Sequence, residues 1–120
     1  MRAIVLISPS SNELSSIFNQ WCTQGKCDFV FEGRLSIAVD TEHFFIDFLE
    51  NGSDYYDSDE LDSHMIKNYY FYSICYSDKK ALIEFIKNTQ FQEGSLLDND
   101  FGKIERINEL RKRDLDIFVE

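Results

Sequence analysis

The sequence predicts an α/β chain of the α+β kind, with one domain over residues 1–120. Its sheet is expected to be mixed, with a central antiparallel meander and helices packed on it. Two observations carry this. The chain has 120 residues, 43% apolar and 15% aromatic, which suits one core and excludes disorder and fibrous classes. Apolar runs of strand length also alternate with segments of helical period, giving the order β-α-β-β-β-α-β-α-β-α.

Residues 2–7, Arg-Ala-Ile-Val-Leu-Ile, are a short apolar run closed by Ser8-Pro9, as expected of a central strand. Ser10 followed by Glu13 has the spacing of a capping box. Leu14, Ile17, Phe18, Trp21 and Cys22 then recur at helical spacing, and Gly25 closes the helix. Trp21 sits at the centre of that stripe and is expected to be buried. Cys27 to Glu32 and Leu35 to Val39 are β-rich runs flanking Gly33-Arg34, which suits a type II′ hairpin. Residues 43–50 also fit a helical face through Phe44, Phe45, Phe48 and Leu49. Their aromatic density and the Asn51-Gly52 that follows favour a strand extending the hairpin into a meander.

From Ser53 to Asp62 apolar content is low, and a loop running into a short helix is expected. Tyr69 to Tyr76 is an aromatic strand. Ser77 or Asp78 caps a helix whose apolar face is Leu82, Ile83, Phe85 and Ile86, ending at Asn88. A strand at Ser95 to Asp98, a turn at Asn99 to Gly102 and a helix at about 104–113 complete the order. Residues 114–120 carry no assignment.

Charge is the most informative property. Of the net −10, residues 1–34 contribute nothing and residues 67–120 contribute −1. The remaining −9 lies in residues 35–66, where Asp40, Glu42, Asp47, Glu50, Asp54, Asp57, Asp59, Glu60 and Asp62 stand without one Lys or Arg. Such a block repels nucleic acid and anionic membranes and favours a cationic partner. A merely solubilising face is the bland alternative.

Motifs for catalysis are absent. There is no G-x-S-x-G, no G-x-G-x-x-G and no phosphate-binding loop. His43 lies in an aromatic strand and His64 in an acidic segment, so both are expected to be structural or solvated rather than catalytic. Asp98-Asn99-Asp100-Phe101-Gly102 resembles an EF-hand start, but its Gly falls at position 5 instead of 6, so a tight turn is the preferred reading. Asp57, Asp59 and Asp62 lack any fixed ligand spacing. The expectation is no enzyme, no cofactor and no metal. Cys22, Cys27 and Cys75 form no C-x-x-C and are expected to be reduced, buried thiols. No apolar run is long enough for a membrane span. The apolar start meets Ser8-Pro9 too soon for a signal peptide, so a cytoplasmic location is expected.

The segment Asp54-Tyr55-Tyr56-Asp57-Ser58-Asp59-Glu60, with Asp62, combines large aromatic contact area with carboxylates able to accept bidentate bonds from arginine. Asp54, Tyr55, Tyr56, Asp57, Asp59, Glu60 and Asp62 are therefore the expected partner-binding residues. Phe-Ile-Asp-Phe, then this segment, an aromatic strand, a helix and Leu96-Leu97-Asp98-Asn99-Asp100-Phe101-Gly102 together resemble small bacterial immunity proteins. Those belong to contact-dependent growth inhibition and related toxin systems. The resemblance spans about residues 43–113. It implies a non-enzymatic inhibitor of a cognate toxin domain, often a nuclease, inside the producing cell; the charge adds the expectation that the toxin is basic and that neither nucleic acid nor membrane is bound directly. It gives Asp98, Asn99, Asp100 and Gly102 a structural role in the turn. An acidic nucleic-acid mimic or adaptor, acting on another DNA- or RNA-binding protein, is the alternative that the same charge would serve.

Overall fold

The computed structural model describes residues 2–22, 27–31, 34–39, 42–50, 69–99, 103–112 and 115–119. The strands are β1 (Arg2–Ser8), β2 (Cys27–Phe31), β3 (Arg34–Val39), β4 (Glu42–Leu49), β5 (Tyr70–Tyr76), β6 (Leu96–Asp98) and β7 (Ile104–Arg106). The helices are α1 (Glu13–Cys22), α2 (Lys79–Asn88), α3 (Ile107–Leu110) and α4 (Leu115–Val119). One seven-stranded sheet has the order β2-β3-β4-β5-β1-β6-β7.

The expected meander is present as β2 to β4, β5 adds to its edge beside β4, and β1 lies inside the sheet between β5 and β6. Every described pairing is antiparallel, so the sheet is not mixed. β1 is antiparallel to both β5 and β6, so those two strands, joined through α2, run in the same direction on either side of it. Phe31 pairs with Arg34, which puts Arg34 in β3 instead of in the Gly33-Arg34 turn; the ladder also shifts between Phe29 and Phe31.

The pleat sorts side chains by alternate position. Ile4, Leu6, Leu35, Ile37, Phe44, Ile46, Tyr72, Ile74 and Leu97 face one side, where they join Ile17 and Trp21 of α1, Leu82, Phe85 and Ile86 of α2, and buried residues of α3 and α4. Trp21 is buried as expected, its ring 5.5 Å from Phe85. The other face holds a smaller cluster of Ile7, Phe71 and Leu96. Asp78 caps α2, accepting from the Lys80 amide at 3.2 Å.

Glu13 departs from the capping-box expectation. It is 1% exposed, and its Oε1 accepts from the Ser8 hydroxyl (2.9 Å), the Gln92 amide (2.8 Å) and the Ser95 hydroxyl (3.2 Å). Ser10 Oγ accepts from the Asn12 amide. Donors from the distant 92–95 segment claim the carboxylate that local spacing had assigned to the Ser10 end.

The helix expected over 104–113 is instead β7 followed by the four-residue α3. Ile104, Glu105 and Arg106 pair with Asp98, Leu97 and Leu96, so a ladder displaces the first helical turn. Residues 115–119, unassigned from sequence, form α4 with Leu115, Phe118 and Val119 buried. Cys75 is a free thiol but only half-buried, since it lies on the face without described helices; the side chains of Cys22 and Cys27 lie outside the described set. No helix among the described residues is long and apolar enough to cross a membrane.

Candidate functional site

Five of the block's nine carboxylates, Asp54, Asp57, Asp59, Glu60 and Asp62, follow β4 and precede β5 in the chain. β4 finishes beside the start of β5, with Leu49 paired to Phe71. Residues 51–68 therefore connect two neighbouring antiparallel strands. All seven expected binding residues, Asp54, Tyr55, Tyr56, Asp57, Asp59, Glu60 and Asp62, lie outside the described residues, as do His64 and the helix expected near them.

Asp47, Phe48 and Glu50 form the described border of that block. Asp47 stands directly across from Arg34 and holds it bidentately, Nε to Oδ1 at 2.5 Å and Nη2 to Oδ2 at 2.9 Å. That hydrogen bonding raises the Arg34 pKa above its ordinary value. The guanidinium also lies 5.3 Å from the Phe45 ring centroid. Asp47 is thus matched by a cation from outside the acidic block. Glu50 is exposed and adds a negative charge at this end, whereas half-buried Glu42 lies at the far end of β4.

Phe48 faces the opposite way from Asp47 and is 42% exposed, the one large apolar side chain so exposed among the described residues. Arg34–Asp47 is the last described β3–β4 pair at this end, one position short of Phe48. Its ring rests 5.5 Å from that of Tyr72, its partner on β5. Tyr72 is buried, and its hydroxyl donates to the Ser10 carbonyl at 3.1 Å. Sequence reasoning placed Phe48 in an apolar strand but missed its exposure, which depends on what packs over that end of β4.

A second concavity, about 600 Å³, lies between α1 and residues 90–92. Its wall consists of amides and hydroxyls, including Asn12, Ser16, Asn19 and Gln92, with Phe91 as its aromatic member and no charged side chain. Gln20 clasps Gln90 by both backbone groups at 2.7 Å. The groove offers hydrogen bonds but no pairing of nucleophile with base.

Of the turn expected after β6, Asp100, Phe101 and Gly102 lie outside the described residues, and its flanking Asn99 and Lys103 are described. Asn99 is buried, accepts from the Lys103 amide at 3.2 Å and donates to the Phe118 carbonyl at 2.9 Å, tying α4 to the sheet. His43 is exposed on β4. Among the described residues no three His, Cys, Asp or Glu side chains converge as metal ligands would. Comparison of the chain with protein-family models, curated proteins and solved structures returns no match.

Proposed function

We propose that the protein is a non-enzymatic inhibitor of the immunity type, which binds a cognate basic toxin domain in the cytoplasm and neutralises it by occupancy. The observation that carries this reading is the charge distribution: nine carboxylates and no Lys or Arg in residues 35–66. A nuclease toxin is cationic where it holds its substrate, and an acidic surface meets it with attraction that raises association rates by orders of magnitude. The resemblance to small immunity proteins supports the same reading. Nucleic acid and anionic membranes are repelled by the same charge, so the partner is a protein.

Titration of the protein against the purified product of an adjacent toxin gene, with and without EDTA, tests this. Inhibition is expected to saturate at a fixed ratio, to ignore the chelator and to release unmodified, active toxin on denaturation and refolding. Protection far below a fixed ratio, or recovered toxin of altered mass, would indicate an enzyme. Binding to unrelated DNA- or RNA-binding proteins, with no inhibition of the toxin, would favour the acidic mimic.

A further inference from the structure

We propose that Phe48, backed by Tyr72, is the apolar anchor of the protein's docking surface, seating in an apolar recess of a cationic protein domain. This rests on the inhibitor reading above and adds to it a contact residue outside the expected set. A lone exposed apolar side chain is ordinary on a protein surface. Three features set this one apart.

The first is rigidity. Phe48 is paired in the ladder with Tyr72 of β5, its ring packs on that residue's ring, and the Tyr72 hydroxyl is fixed to the Ser10 carbonyl. A side chain already held in place loses little conformational freedom on binding. The second is placement. Phe48 stands two residues before exposed Glu50, at the sheet end where the chain enters the acid-rich stretch. Binding hot spots combine a central aromatic anchor with a polar surround that excludes water. The third is charge. A second copy of this chain would bring another −10 to the contact, whereas a domain presenting Lys and Arg around an apolar recess satisfies both features.

The two parts of such a surface leave different kinetic signatures. Carboxylates steer the encounter and act on the association rate, while a buried aromatic holds the complex and acts on the dissociation rate. The test measures binding of the adjacent toxin-gene product to the wild type, to Phe48→Ala and to Phe48→Leu, with circular dichroism and urea midpoints as fold controls. Phe48→Ala is expected to speed dissociation on the order of tenfold or more, with association nearly unchanged and Phe48→Leu intermediate. A photo-crosslinking phenylalanine analogue at position 48 is expected to capture the toxin, and it reads the contact even if Phe48→Ala misfolds. Wild-type binding with unchanged dissociation of folded Phe48→Ala, or with no crosslink from position 48, would overturn the anchor and leave the inhibitor reading standing. Failure of the wild type to bind the toxin would overturn both.

Discussion

The indole Nε1 of Trp21 donates to Oγ1 of Thr89 at 2.9 Å, and that hydroxyl donates in turn to the Phe85 carbonyl at 2.6 Å. The relay joins the middle of the core to the end of α2, where Thr89 is the C-cap. Trp21 therefore has two roles, filling volume against Phe85 and satisfying a buried N–H.

Trp21→Ala is expected to cost about 3 to 5 kcal/mol through lost burial and the cavity left behind. Thr89→Val keeps the shape but strands the indole N–H, at about 1 to 3 kcal/mol. Urea unfolding measures both losses. Iodide should quench native Trp21 fluorescence weakly; strong quenching would contradict its burial.

Glu13→Ala removes one acceptor from three donors and is expected to cost on the order of 3 kcal/mol. Glu13→Gln retains a carbonyl oxygen and should cost less. The loss should be felt locally as well, with faster hydrogen exchange at the Gln92 amide, which Glu13 holds at 2.8 Å.

Burial pushes the Tyr72 phenol up from 10.0 to about 12; hydrogen bonding to the Glu13 backbone opposes this, and the negative charges of Glu13 and Tyr70 add to it. A raised folded-state pKa makes the unfolded chain lose its proton first. The stabilisation is therefore complete below pH 10 and disappears as pH rises through about 12. Tyr72→Phe should be flatter over that window, the difference in pH-dependent loss being on the order of 2 kcal/mol. Urea midpoints of both proteins across that window check it; parallel curves would contradict it.

Neutralising Asp54, Asp57, Asp59 and Glu60 to Asn or Gln is expected to slow association with the toxin at low salt and to flatten its salt dependence, with dissociation little changed. Stopped-flow kinetics at several ionic strengths measure this. An unchanged association rate in a folded variant would remove the acidic segment from the binding surface.

Strands β1 to β5 were legible because apolar alternation and density specify a buried face whichever neighbour supplies it. The misreading at 104–113 has a physical cause. Ile104, Ile107 and Leu110 have helical spacing, and only the ladder with residues 96–98 shows that Ile104 belongs to a strand. Glu13 fails in the same way, since its donors at Gln92 and Ser95 are remote in sequence. The bond of Asn99 to the Lys103 amide was readable because it is local, whereas its bond to the Phe118 carbonyl was not. At the candidate site, charge could be counted from residues alone. The exposure of Phe48 could not, because it depends on what packs over that end of β4 and not on the strand's own pattern.

The interior position of β1 constrains how the chain can assemble during synthesis. β1 leaves the ribosome first, yet its two neighbours in the sheet, β5 and β6, come late. β2 to β4 can zip together in sequence as they emerge, each strand beside its predecessor. β1 must wait and then insert between β5 and β6, closing the sheet by contacts of long sequence separation, which fold slowly. Until residues 96–98 are available, one side of β1 is an open apolar edge able to pair with another nascent chain. The sheet can therefore close around β1 only after β6 has been translated, however early β1 itself emerges.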